Sequence, residues 1–295
     1  MKPAPAWERT PFAVVDGGLS TALEELGHHS SGLLWTAQLV LERPEVVVAA
    51  HESFVAAGAD VVISSSYQAS EDGFVRAGCD RAAARAALRS TTELARRSGA
   101  SVVASSIGPY GATLGDGSEY HGRYEASWDE VRSFHRRRIE VLADSGPDLF
   151  AVETIPGRVE AEIVVEEIHR VSDLPLWTTW SCSDGHSTCA GDPFEDAVLA
   201  VVGSPGVIAV GVNCTDPRFV GSLLDLARTV TDRPLVAYPN HGRSWDAASE
   251  CWIGEGPDDL VALVPGWVDA GARLIGGCCG IGPAGIARVA EVRDH

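Results

Sequence analysis

The stretch Asp148-Leu-Phe-Ala-Val-Glu-Thr154, followed after a short turn by a helical pattern from Arg158 to Val171, is the unit from which the whole chain is built. Its first half is a continuous apolar run rather than an apolar-polar alternation, the mark of a strand buried on both faces, as in a parallel sheet beneath helices. Its polar residues, Glu153 and Thr154, fall at the C-terminal end of the run. Working outward, the same unit recurs. Upstream lie strands at Phe12–Asp16, Asp60–Tyr67 and Ser101–Pro109, with helices after Ser20, after Pro44, from Asp80 to Ser98 and from Trp128 to Ser145. Downstream lie strands at Leu174–Ser181, Val207–Cys214, Pro234–Asn240 and Ala272–Gly280. Their helices run over Phe194–Val202, Pro217–Val230, Asp258–Ala270 with a break at Pro265, and Pro283–Val292. The helix over 158–171 is expected to carry Glu162, Glu166 and Glu167 outward.

Eight strand-helix units with no linker between them favour a single (β/α)8 TIM barrel domain over residues 1–295. A doubly wound dinucleotide fold is disfavoured, because Asp16-Gly-Gly-Leu-Ser-Thr21 lacks the glycine spacing of a phosphate-binding turn. The longest excursion on the C-terminal side of the strands, residues 111–128, is expected to be an active-site loop.

Composition narrows the function classes. With Asp+Glu 41 against Lys+Arg 23 the formal net charge is -18, and such a surface repels a phosphate backbone, so nucleic acid is excluded as a partner. No stretch approaches the ~18 apolar residues of a membrane span, and the first ten residues lack a signal-peptide core. Seven cysteines, an odd number in a chain too long to need staples, point to a reducing cytoplasm. Whether the chain is a monomer or a homo-oligomer is left open.

In a barrel the chemistry sits where strands end, which collects Asp16, Tyr67, Gln68, Gly108, Glu153, Thr154, Ser181, Asn213, Cys214, Tyr238, Asn240, Cys278 and Cys279 on one rim. Free cysteines are mostly small buried hydrophobes. Here, however, Cys278 and Cys279 lie in the glycine-rich Gly276-Gly-Cys-Cys-Gly280, where the backbone can turn sharply enough to aim neighbouring side chains at one point. Cys214 closes its strand on the same rim. Three thiolates converging this way suggest a zinc site with one tetrahedral position left open, the pattern of a catalytic centre. Cys79, Cys182, Cys189 and Cys251 read as structural or incidental. Asp16, just before two glycines, could instead cap the next helix, whereas a carboxylate at Glu153 needs a cation or strong donors. The histidines His121, His135, His186 and His241 show no ligand spacing and are assigned to the surface or the loop.

These residues resemble the zinc-dependent homocysteine S-methyltransferases along nearly the whole chain. The motifs include Asp16-Gly-Gly-Leu-Ser-Thr, Ser66-Tyr-Gln-Ala-Ser, Ser106-Ile-Gly-Pro-Tyr-Gly-Ala, Asp116-Gly-Ser-Glu-Tyr, Phe134-His-Arg-Arg-Arg, Val152-Glu-Thr-Ile-Pro, Gly211-Val-Asn-Cys and Gly276-Gly-Cys-Cys-Gly. The wording is closer to the branch using S-methylmethionine or S-adenosylmethionine than to the betaine or folate branches. The resemblance implies Zn2+ on Cys214, Cys278 and Cys279, and a substrate site from Asp16, Gly17, Gly18, Tyr67, Gln68, Glu153, Thr154 and Asn213. Glu153 and Asp16 would grip the homocysteine ammonium. Two departures stand out: Tyr238-Pro-Asn-His-Gly-Arg243 where the family has Tyr-Pro-Asn-Ser-Gly-Glu, and Thr179-Trp-Ser181 where it has Ser-Phe-Ser; Thr154 also stands where betaine-dependent relatives have a tyrosine able to fill the open zinc position.

The implied reaction is transfer of a methyl group from a sulfonium to the thiolate of homocysteine, giving methionine. A free thiol has a pKa near ~8.5, and zinc would hold it deprotonated without a general base. Alternatives are another thiol or selenol acceptor, betaine as donor, a zinc- or redox-sensing barrel, or a barrel lyase. A Schiff-base lyase is excluded because the one lysine, Lys2, lies outside the barrel.

Overall fold

The computed structural model describes residues 10–28, 36–242, 244–246, 251–253 and 259–295, with backbone alone described for 244–246 and 251–253. Eight parallel strands form the barrel: β1 (Ala13–Val14), β2 (Val61–Ile63), β3 (Val102–Ile107), β4 (Leu149–Ile155), β5 (Leu176–Trp180), β6 (Val207–Asn213), β7 (Leu235–Tyr238) and β10 (Ala272–Ile275). Seven neighbours pair in the order β1-β10-β7-β6-β5-β4-β3-β2, and a parallel bridge from Val15 to Val61 closes the ring between β1 and β2. The backbone N–H of Asp16 donates to the Val61 carbonyl at 3.0 Å at that seam. All strands run the same way, so all their C-terminal ends open on one face.

The apolar runs divide between two cores. Inside the barrel, Val15, Val61, Ala104, Leu149, Ala151 and Trp177 meet Val236, Tyr238 and Leu274. Outside it, alternate strand residues such as Phe150, Val152, Leu176 and Trp180 pack beneath the helices. This double burial is why the strands read as continuous apolar runs.

The helices begin where the sequence supplies caps. The long helix α5 (Arg81–Arg97) starts on Asp80, whose carboxylate accepts from Ala83 N at 2.8 Å. A capping box between Ser127 and Glu130 opens α6 (Trp128–Ala143). The helices α7 (Arg158–Val171), α8 (Phe194–Val202) and α9 (Pro217–Val230) occupy the expected spans, and α11 (Pro283–Asp294) closes the chain. The remaining described helices are α1 (Leu19–Glu25), α2 (Thr36–Glu42), α3 (Pro44–Ala56), α4 (Glu71–Arg76) and α10 (Val264–Asp269).

Several expectations are corrected. Strands β1 and β2 are much shorter than their apolar runs, because pairing stops where the chain turns onto the rim. The short helices α2 and α4, and an antiparallel hairpin of β8 (Ser244–Asp246) and β9 (Cys251–Ile253), were not anticipated. Cys251 opens the second strand of that hairpin. Part of the helix expected over 258–270 is instead a 3-10 turn, Val261–Leu263, leading into α10; Pro265 sits in the first turn of α10, where its missing N–H costs nothing. Glu167 does not point outward. It is fully buried, held by Arg132 at 3.0 Å and Arg136 at 2.7 Å across the α6–α7 contact.

Candidate metal and substrate site

The rim gathers the three expected cysteines. Cys214 follows β6 with φ +45°, an unusual backbone for a residue with a side chain, and its N–H donates to the Tyr238 carbonyl at 3.1 Å. Cys278 N donates to Pro239 O at 2.8 Å, so the turn after β10 is tied to the end of β7. Gly276 must lack a side chain, because a Cβ there would lie 2.4 Å from the Val15 carbonyl oxygen. The result is a Cys214–Cys279 sulfur separation of 3.6 Å and a Cys278–Cys279 separation of 3.9 Å, with all three sulfurs within 4.8 Å of one another. Four sulfurs at ~2.3 Å around a tetrahedral metal would stand about 3.8 Å apart, so the cluster already has the dimensions of a metal-thiolate site.

The thiols share one deprotonation. Cys279 is pushed well below the ordinary thiol range by hydrogen bonds from Cys214 and Cys278, with the charge of His241 adding to the effect. Cys278 is pushed up by the bonds it gives its neighbours. A bond from Cys278 lowers Cys214, but the bond Cys214 gives Cys279 and its burial outweigh this and raise it. His241, expected at the surface or in the loop, thus stands at the site; a Cβ on Gly280 would meet its ring at 2.3 Å.

Two carboxylates are buried beside the sulfurs. Asp16 is not a helix cap: its Oδ2 accepts from Ile63 N at 2.9 Å, and α1 begins on Gly18 without a side-chain cap. Burial pushes the Asp16 carboxyl well up, the Ile63 N–H opposes this, and the nearby Glu153 reinforces it. Glu153 accepts from the Ser106 hydroxyl and from the Tyr238 hydroxyl at 3.2 Å; burial nonetheless lifts it to about 7.

Behind them runs a connected polar network. The Tyr238 hydroxyl accepts from Trp177 Nε1 at 3.2 Å and lies 2.9 Å from Thr179 Oγ1, which donates to Asn213 Oδ1 at 2.8 Å. Asn213 in turn accepts from Thr154 N at 2.7 Å and donates to Thr154 Oγ1 at 2.7 Å. These bonds hold Thr154 at φ +57°, and its side chain pairs with the Tyr67 hydroxyl. Tyr67 and Gln68, in the turn that follows β2, are both half-buried. Gly17 and Gly18 serve as contact surfaces for backbone: a Cβ on Gly18 would sit 2.7 Å from Cys278 O, and one on Gly17 2.3 Å from Ile281 O.

Other site residues stood in the quoted motifs but were given no role there. Glu119 and Tyr120 come from the 111–128 excursion. Tyr120 is 47% exposed, yet its hydroxyl bonds the Cys214 sulfur. Burial raises the Glu119 carboxyl, and the negative Asp116 and Cys279 raise it further. Arg138, 2% exposed on α6, donates to Gly108 O at 3.2 Å and Tyr67 O at 3.4 Å, clamping two strand-end loops from behind. Burial lowers it to about 10. His135 is fully buried against Glu160 at 2.9 Å, not on the surface or in the loop.

A TIM barrel whose rim carries three convergent thiols and two buried carboxylates defines a protein that can hold a metal ion and an amino acid side by side. The comparisons with known proteins specify which. The homocysteine S-methyltransferase family model matches residues 13–293, and the chain belongs to that family. It is 39% identical to homocysteine S-methyltransferase 1 of Zea mays over 302 residues, covering 95% of this chain and 94% of the relative. Selenocysteine Se-methyltransferase of Brassica oleracea is 36% identical over 304 residues, covering 94% and 88%. The metallated form of the homocysteine methyltransferase MmuM from Escherichia coli superposes with TM-score 0.86 at 35% identity, covering 97% of each chain, and its oxidized form with TM-score 0.87. No helix among the described residues is long and apolar enough to cross a membrane.

Proposed function

We propose that this protein transfers a methyl group from a sulfonium donor, S-methylmethionine foremost, to the sulfur of L-homocysteine, at a zinc ion held by Cys214, Cys278 and Cys279. The observation that carries the reading is the juxtaposition of three sulfurs within 4.8 Å of one another with Asp16 and Glu153, two buried carboxylates in electrostatic reach of each other. Zinc bound there supplies one thing, a substrate thiol kept deprotonated at neutral pH.

The rest falls to the chain. Asp16 and Glu153 receive the substrate ammonium, which relieves the burial of both carboxylates. The network from Tyr238 through Thr179 and Asn213 to Thr154 fixes the wall of the pocket, so orientation carries much of the rate. The 111–128 segment covers the site and excludes water. In the transfer, the donor's carbon–sulfur bond breaks as the new one forms in line with it, and the donor leaves as a neutral thioether. With S-methylmethionine both products are methionine. A cytoplasmic setting suits the reading, since a reducing milieu keeps three close thiols free.

The test is a parallel assay of zinc-loaded protein with homocysteine against S-methylmethionine, S-adenosylmethionine and betaine, and with selenocysteine as a second acceptor. Methionine formed fastest from S-methylmethionine, with activity and zinc lost together on chelation, is the expected result. Turnover independent of metal content overturns it.

A further inference from the structure

The segment between β3 and α6 carries one carboxylate, Glu119, with a buried and unpartnered oxygen. A 3-10 turn, Tyr110–Thr113, leaves the barrel, and a second, Ser118–Tyr120, brings the chain back over the rim. Between them the Asp116 carboxylate accepts from Ser118 N at 2.9 Å, and Gly117 takes φ +82°. Gly111 lets the returning backbone lie against it, since a Cβ there would be 2.5 Å from Glu119 N. Both ends of the segment are tied to one buried acid. Glu160 accepts from Tyr110 N at 2.6 Å and from the Tyr124 hydroxyl at 2.6 Å.

Glu119 is thereby turned inward. Its Oε2 is buried and has no hydrogen-bond partner. The Asp116 carboxylate set against it carries its own sign, and the Tyr67 and Tyr120 side chains stand within its electrostatic reach. A buried carboxylate oxygen with no donor calls for a cation. A zinc ion would have the three sulfurs, and the ammonium of the acceptor has Asp16 and Glu153. What remains is the positive charge of the second substrate, which a sulfonium cannot shed by losing a proton. Aromatic faces at Tyr67 and Tyr120 suit such an ion.

We propose that Glu119 binds the sulfonium charge of the methyl donor and makes the site discriminate a sulfonium from the neutral thioether it becomes. The inference rests on the methyl-transfer reading above. It also accounts for product release, because transfer abolishes the charge that Glu119 holds. A contact to charge present in the bound donor and fading in the transition state lowers KM rather than raising kcat.

The experiment compares wild type, Glu119→Gln and Glu119→Asp, all zinc-loaded, in two readouts. In steady-state kinetics E119Q is expected to raise the KM for S-methylmethionine ten- to hundredfold while KM for homocysteine and kcat hold. In calorimetric titration, wild type is expected to bind S-methylmethionine more tightly than methionine, E119Q to lose that preference, and E119D to retain part of it. Zinc content near one per chain in each variant shows that the site is intact, and Glu125→Gln, exposed on the same segment, should match wild type. Wild-type selectivity and KM in E119Q overturn the role of Glu119 alone. Failure of wild type to use or prefer any sulfonium overturns the methyl-transfer reading, and this inference with it.

Discussion

Glu153→Gln should make the metal-free, reduced protein more stable at pH 8 while crippling its use of homocysteine. The substitution keeps the shape, and the amide oxygen can still accept from Ser106. What disappears is a buried charge. Glu153 is 7% exposed, and its carboxyl is lifted from an ordinary value near 4.5 to about 7. The folded state therefore holds this proton more tightly than the unfolded chain, so stability is lost as pH rises from about 4.5 through 7. At 1.36 kcal/mol for each tenfold change, the ionised side chain costs the fold on the order of 3 kcal/mol above pH 7. Urea unfolding at pH 8 and pH 5.5 should show the variant ahead by roughly 2–3 kcal/mol at the higher pH and the gap narrowing at the lower. Loss of a charge-assisted bond to the ammonium should lower kcat/KM for homocysteine by about ten- to hundredfold. A wild type more stable than the variant at pH 8 would mean that Glu153 already has its cation within the protein, and the reasoning would fail.

Three further outcomes follow from the geometry. Cys214→Ser, Cys278→Ser and Cys279→Ser should each lose tight zinc and turnover, whereas Cys79→Ser, away from the rim, should keep both; zinc stoichiometry after desalting decides. Metal-free protein in air should inactivate through a disulfide, with Cys214–Cys279 favoured by their 3.6 Å separation over the adjacent pair Cys278–Cys279, and recover with reductant plus zinc; peptide mapping that finds all three thiols alkylatable after inactivation contradicts this. Glu160→Gln should release the segment over 114–123, read as faster proteolysis there and a higher KM for the donor with zinc content unchanged; proteolysis at the wild-type rate would show that the aromatic contacts of Tyr110, 5.3 Å from Tyr124 and 5.1 Å from Phe134, hold the segment unaided.

The barrel was legible because each strand-helix unit repeats the same double burial, and the cysteine cluster because the unit fixes which end of each strand reaches the rim. Cys214, Cys278 and Cys279 needed only that rule and the glycines around them. The short helices α2 and α4 escaped because six or seven residues give too little periodicity to stand out from a loop. Glu167 was misplaced because its charge suggested solvent, while the arginines that compensate it, Arg132 and Arg136, lie on the neighbouring helix at no legible sequence distance. Arg138 could have been found: it sits one helical turn after Phe134, over whose ring its guanidinium lies at 5.6 Å, and so shares the inward stripe. Glu119 and Tyr120 had no such periodicity, only their place in the Asp116-Gly-Ser-Glu-Tyr motif. Their direction is set by a turn at Asp116 and Gly117 and by the close approach at Gly111, and neither has a periodicity to read.

The misses and the successes meet in the charge of the site. Asp16, Glu153, Glu119 and the Cys279 thiolate converge on one rim of a chain whose net charge is already -18, so distant residues offer little relief. Evolution ordinarily removes such repulsion, since apolar replacements of buried charges are often neutral or stabilising. Its retention here makes sense if the relief comes from outside in separable parts: a divalent ion for the sulfurs, an ammonium for Asp16 and Glu153, a sulfonium for Glu119. Each arrival then stabilises the fold by mass action, and each carboxylate discriminates one ligand without interfering with the others. The two acids that would hold ammonium come from strand ends of the barrel, where position is rigid. The acid that would hold the donor comes from a loop, whose position depends on the bonds that Glu160 accepts from Tyr110 and Tyr124.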